Sequence, residues 1–127
     1  MSEHQVLSKR THMCGMVNSQ LVGNRVTLKG WVQRRRDLGK LIFIYLRDRD
    51  GFIQVVFDAE KSSDIFDKAH TIRSEYVLSV AGTVVKRDEA AINSNYPNGD
   101  VEVIADELEI LSTAETPPIY IEDGLDA

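Results

Sequence analysis

Between Arg25 and Phe57 the chain alternates apolar and polar residues, and that alternation constrains the fold more than any other feature. Val26 and Leu28 alternate with Thr27 and Lys29, the period of a half-buried strand. The run reaches Arg36 and stops at Asp37-Leu38-Gly39-Lys40, a short connection with glycine near its end. Leu41–Asp48 is rich in β-branched and aromatic residues, which fit a pleated surface. Arg49-Asp50-Gly51 follows, and Asp-Gly is a strong hairpin signal. Phe52–Phe57 then reads as a third strand. Three consecutive strands with short turns make a meander.

The period changes next. In Lys61–Arg73, Ile65, Ala69 and Ile72 fall on one helical face, with Ser62 or Ser63 as a cap and Asp64 in the first turn. Glu75–Lys86 returns to alternation through Tyr76, Leu78 and Val80, with a bulge expected at Gly82. Arg87–Gly99 is polar and reads as a loop. A last alternation runs through Val101 and Val103, then Leu108 and Ile110. The order predicts a mainly β fold: a five-stranded OB-fold barrel with one helix between strands 3 and 4. An open α+β sandwich, its helix across one sheet face, fits the same order. Residues 1–24 form an N-terminal extension with a short helical turn, 25–112 the barrel, and 113–127 an acidic linker containing Pro117-Pro118.

The turns set the expected register. A reversal at Asp48–Gly51 puts Gln54 opposite Tyr45 and Val56 opposite Phe43. A reversal at Asp37–Lys40 puts Arg34 opposite Phe43 and Arg36 opposite Leu41. Arg34, Arg36, Phe43, Tyr45 and Gln54 then share one face, open to water. Ile42, Ile44, Leu46, Ile53, Val55 and Phe57 take the other, which must be the core; a slip of one residue would bury the arginines. Parity turns Arg35 inward, so it belongs at the barrel rim or is displaced by the turn. Trp31 falls on the core side if Gly30 carries a bulge, since Val26 and Leu28 have the opposite parity. A face holding an aromatic ring, a side-chain amide and guanidinium groups suits unstacked bases, for stacking, edge recognition and phosphate contact. The same residues also fit a plainer description, with Phe43 packed by a partner domain and Arg34–Arg36 a solvated charge run.

Charge is divided along the chain. The formal net charge is -5, yet residues 1–87 carry 15 basic and 9 acidic groups, a balance of +6. Residues 88–127 carry 11 acidic groups and no Lys or Arg. A phosphate feels the local field, so a polyanionic partner is compatible with the acidic average. No apolar run approaches the ~20 residues of a membrane-spanning helix, and the polar start has no signal-peptide core. The single cysteine, Cys14, excludes an intramolecular disulfide framework and suits a reducing cytoplasm as a small packing residue. His4, His12 and His70 are scattered without zinc spacing, so no metal site is expected.

Longer motifs add to these patterns. Arg10-Thr11-His12, Cys14-Gly15, Gly30-Trp31-Val32-Gln33-Arg34-Arg35-Arg36-Asp37-Leu38-Gly39, Leu41-Ile42-Phe43-Ile44-Tyr45-Leu46-Arg47-Asp48, Gly51 and Gln54-Val55-Val56-Phe57-Asp58 resemble the N-terminal anticodon-binding domain of bacterial aspartyl-tRNA synthetases. The likeness runs from about Arg10 to about Ser112. Synthetases for asparagine and lysine share a shorter core of it. The resemblance implies that Phe43 stacks on the central anticodon uridine, that Gln54 reads its edge, and that Arg36 contacts anticodon nucleotides. It implies backbone contacts for Arg34 and Arg35, and roles for Arg87, Asn93 and Glu102 in reading the flanking bases. Arg87 and Glu102 also fit a solvated strand end and a surface strand residue. Leu38 occupies a turn position where leucine resembles the form restricted to aspartate tRNA.

Family members continue through a hinge into a catalytic domain that binds ATP, Mg2+ and aspartate, and they form homodimers. The resemblance implies that this chain is the tRNA-reading part of such a cytoplasmic ligase, with no catalytic residue or cofactor of its own. A general single-strand nucleic-acid binder, or the corresponding domain of an asparagine or lysine synthetase, is the alternative.

Overall fold

The computed structural model describes residues 10–87 and 98–113. Two 3-10 turns, Cys14–Met16 and Ser19–Leu21, precede strands β1 (Arg25–Asp37), β2 (Leu41–Asp48) and β3 (Gly51–Asp58). Helix α1 (Ser63–Ala69) leads to β4 (Val77–Lys86) and β5 (Val101–Ser112). The strands form a closed barrel in the order β1-β2-β3-β5-β4, which excludes the open sandwich. Closure depends on long strands that serve two neighbours. The first half of β1 pairs with β4 and its second half with β2, while β5 pairs antiparallel with β4 and parallel with β3. At the changeover in β1, a Cβ on Gly30 would collide with the Arg47 carbonyl oxygen, so only glycine permits the approach.

The expected apolar face is the core. Ile42, Ile44, Leu46, Ile53, Val55 and Phe57 are at most 1% exposed, packed with Val26, Leu28 and Val32 of β1 and with residues of β4 and β5. The N-terminal segment supplies Cys14 and Val17 to the same cluster, and the region of α1 supplies Phe66, Ala69 and Ile72. The helix is shorter than the sequence predicts. After Ala69 the chain crosses to β4, and its backbone bonds to β1 through Glu75 N to Val32 O and Val32 N to Tyr76 O. Before that crossing, Thr71 N bonds to Lys68 O and Ile72 N to Ala69 O, so tighter turns take the place of the last α-helical turn. Ser62 occupies the N-cap without a side-chain cap bond.

The second hairpin has the expected register: Tyr45 faces Gln54 and Phe43 faces Val56. The first does not. Arg36 faces Phe43 and Arg34 faces Tyr45, two positions away from the expected pairing. The reversal is centred on Gly39-Lys40, one residue later than expected: the Leu38 N–H donates to the Leu41 carbonyl at 2.8 Å, and the Gly39 N–H to Asp37 Oδ1 at 3.2 Å. A shift of two keeps every side chain on its face. The bulge in β1 also lies elsewhere, at Gln33 between Val32 and Arg34 rather than at Gly30. Val32 therefore takes the core position expected for Trp31, and Trp31 is half-buried on the outer side opposite Arg47.

β5 is one continuous strand whose alternation breaks at a bulge. Ala81 faces Glu107 and Gly82 faces Ala105, so the extra residue is Asp106 in β5 rather than a residue of β4. That insertion moves the buried positions from Val101, Val103 and Ala105 to Leu108. Gly82 is required there because a Cβ would strike the Ile104 carbonyl oxygen.

Candidate nucleic-acid interface

The outer face of β1–β3 carries the polar and aromatic residues that the core excludes. After the Gln33 bulge, β1 presents Arg34 and Arg36. β2 presents Phe43 and Tyr45, and β3 presents Gln54. These five, with Ile44 beneath them, line one open depression. Both arginines are exposed, while Phe43 and Tyr45 are half-buried. Among the described residues, neither Arg34 nor Arg36 has a hydrogen-bond or ion-pair partner.

Gln54 departs from the expectation that it stands open to water. It is only 8% exposed, because β5 runs beside β3 through the Val55–Val103 and Val56–Ile104 pairs. That parallel contact brings Glu102 alongside, and Gln54 Nε2 donates to Glu102 Oε1 at 2.8 Å. The Arg87 Nε lies 4.0 Å from the same oxygen and donates to the Val101 carbonyl at 3.3 Å. Arg87 is 7% exposed, which rules out the solvated strand end, and Glu102 is half-buried rather than a surface residue. Gln54, Glu102 and Arg87 thus meet, although they lie far apart in sequence.

Other candidates are placed differently. Arg35 faces Ile44 across the ladder, away from the depression. Its Nη2 lies 3.6 Å from Asp37 Oδ2, and its buried Nε has no hydrogen-bond partner. Leu38, 52% exposed, stands in the turn between β1 and β2. Asn93 and the linker from residue 114 onward lie outside the described residues.

The face also extends along β2 and β3 beyond the residues singled out from sequence. The Tyr45 and Phe52 rings lie 5.1 Å apart, centroid to centroid, and the Arg47 guanidinium sits 5.6 Å over Phe52. Arg47 Nη1 donates to Gln33 Oε1 at 3.1 Å. The parity that placed Tyr45 beside Phe43 also applies to Arg47 and Phe52, so this signal was present in the sequence.

At the β2–β3 turn the polar groups are satisfied internally. Buried Asp48 accepts from the backbone N–H groups of Cys14 (2.8 Å), Asp50 (2.9 Å) and Gly51 (3.2 Å). Arg10 lies 3.7 Å away. Burial, reinforced by the Asp48 carboxylate, pushes the Cys14 thiol well above its ordinary value. A thiol held protonated is a poor nucleophile, which makes Cys14 a packing residue.

The depression offers an aromatic face for stacking, an amide for a base edge and two guanidinium groups without partners among the described residues. Residues 26–111 match the tRNA anti-codon family of OB-fold nucleic acid binding domains. The chain belongs to this family. It is 56% identical over 121 residues to proteins named aspartate--tRNA(Asp/Asn) ligase from Bacillus mycoides (strain KBAB4) and Bacillus cereus (strain B4264). The match covers 95% of this chain and 20% of each relative, so the chain spans about a fifth of the length of these curated relatives. Among solved structures, asparaginyl-tRNA synthetase from Pyrococcus horikoshii superposes with a TM-score of 0.68 at 30% identity, over 85% of this chain and 24% of that one. A likeness of fold alone is seen with the OBody AM3L09 bound to hen egg-white lysozyme, at TM-score 0.73 and 24% identity over 84% of this chain and 98% of that one.

Proposed function

We propose that this chain is the anticodon-reading domain of an aspartate--tRNA ligase, and that it binds the splayed anticodon bases of aspartate tRNA on the outer face of β1–β3. The observation that carries this reading is the depression itself, where Arg34 and Arg36, without partners among the described residues, stand beside the Phe43 ring and the Gln54 amide. In this reading Phe43 stacks on the central uridine, Gln54 meets its edge, and Arg34 and Arg36 hold phosphates or neighbouring bases. The names of the relatives and the family match support it. In this reading aminoacylation, with its ATP and Mg2+, belongs to the larger protein, a cytoplasmic homodimer.

The isoacceptor is the finer part of the proposal. The relatives' names span aspartate and asparagine tRNA, whereas Leu38 resembles the form restricted to aspartate. The two anticodons share the central uridine and differ at the last base. Titrating anticodon stem-loops into labelled domain tests both levels. The aspartate loop binds more tightly than the same loop with its central uridine replaced, and more tightly than the asparagine loop. Equal affinity for the first pair removes anticodon reading in favour of sequence-neutral binding; equal affinity for the aspartate and asparagine loops removes only the restriction.

A further inference from the structure

We infer that Glu102 is a positioning residue that locks the Gln54 amide in one orientation, so that its carbonyl oxygen is offered to the bound base and a base with an imino N–H is selected. This deepens the anticodon reading above and rests on it. A glutamine side chain has two faces with opposite hydrogen-bonding character, and a half-turn about its last torsion exchanges them. Left alone in the depression, such an amide would accept from uracil N3–H in one orientation and donate to cytosine N3 in the other. It could not tell the two apart.

Glu102 removes that freedom. An ionised carboxylate only accepts, so the amide edge that meets it must be the NH2, which is the arrangement seen: Nε2 to Glu102 Oε1 at 2.8 Å. Flipping the amide would set Oε1 against the carboxylate, two acceptors in contact at a site where Gln54 is 8% exposed and water is largely excluded. Arg87, with its Nε 4.0 Å from the same carboxylate oxygen, flanks Glu102 on its other side. Its own donation to the Val101 carbonyl at 3.3 Å holds it in place. Among the described residues, Gln54 Oε1 accepts no hydrogen bond, and Gln54 lines the depression beside Phe43. A pyrimidine stacked on Phe43 therefore meets an acceptor. Uracil N3–H satisfies it, while its carbonyl can take the second amide proton. Cytosine N3, itself an acceptor, is repelled.

Two measurements on the folded domain test this. The first needs no RNA: nitrogen relaxation of side-chain amides in uniformly 15N-labelled protein. The Gln54 NH2 is as ordered as the backbone, unlike the exposed Gln20 and Gln33, and becomes mobile in Glu102→Ala. A Gln54 NH2 as mobile as Gln20 in the unaltered domain overturns the clamp. The second is the ratio of affinities for stem-loops with central uridine and central cytidine. That ratio is on the order of tenfold or more, the scale of a two-bond base contact, and collapses towards one in Glu102→Gln, whose neutral amide can donate to a flipped Gln54. Equal weakening of both loops, with the ratio kept, would mean that Glu102 is merely structural and overturns the inference while leaving anticodon reading intact. Absence of any uridine preference in the unaltered domain overturns anticodon reading instead, and the relaxation data then decide the clamp separately.

Discussion

The two ends of β1 carry arginines on the outside of the same barrel, yet they stand in opposite electrostatic circumstances. At the start of the strand, Arg25 Nη2 lies 2.6 Å from Asp106 and 3.3 Å from Glu107, and the Asp106 hydrogen bond pushes its pKa further up. At the other end, Arg34 and Arg36 face no acid among the described residues. The difference originates in β5. Its bulge at Asp106 turns acidic side chains towards Arg25, while nearer its start Glu102 engages Gln54 and Arg87 instead. A charge with an internal partner has little left to offer a ligand. The unpaired arginines, set beside an aromatic ring, remain available to a phosphate.

The contrast can be broken most severely just beneath the open face. Ile44 is 1% exposed in the core, immediately next to Phe43 in sequence. Ile44→Ala should cost about 2–5 kcal/mol of stability in urea unfolding. Phe43→Ala should leave the urea midpoint far less changed and instead weaken stem-loop binding by about 1–3 kcal/mol, as loss of one stacking platform does. If Phe43→Ala unfolded the domain as readily as Ile44→Ala, the ring would be core and the open face misread.

Next in size is an effect at the closed β2–β3 turn. The raised Cys14 thiol stays protonated in the folded chain while the unfolded chain loses its proton above the ordinary thiol value of 9.0. The folded state then binds more protons, so stability falls as pH rises beyond that point, by about 1.4 kcal/mol per pH unit for one such group. Cys14→Ala should remove this part of the alkaline loss, measured as the difference between the two unfolding curves. Identical slopes for the two proteins would show that the thiol is not shielded.

Salt dependence separates the arginines. If each contacts one phosphate, Arg34→Ala and Arg36→Ala should each reduce the slope of log affinity against log salt by about 0.7, the single-strand value per neutralised phosphate. Arg25→Ala should leave the slope unchanged and shift stability by no more than about 1 kcal/mol, as expected for an exposed ion pair. A slope that fell equally for Arg25 would erase the distinction between the two ends.

Much of this could be read from the residues. The alternation over Ile42–Phe57 assigned the core face correctly, because one face is wholly apolar and a slip of one would expose it, whereas Gln54 on the opposite face is not open to water as expected. The Asp-Gly turn located the second hairpin. The first hairpin was displaced by two because Leu38-Gly39-Lys40 permits reversal at either of two adjacent positions, and only the Leu38–Leu41 backbone bond chooses between them. Trp31 was misplaced for a related reason: the bulge fell on Gln33, a residue with no bulge signature, rather than on Gly30.

The Gln54–Glu102 contact was not legible at all. It depends on β3 and β5 meeting in parallel across 48 positions of sequence, and strand order in a ring is a tertiary property. Glu102 was singled out by resemblance alone, and its place behind Gln54 follows from barrel closure.

The most direct test of the account is an amide titration of the 15N-labelled domain with the aspartate anticodon stem-loop. Perturbations should concentrate at Arg34, Arg36, Phe43, Tyr45 and Gln54, with Arg25, Asp106 and Glu107 unmoved. Perturbations centred on the Arg25 end, or none at the β1–β3 face when the loop is saturating, would contradict it.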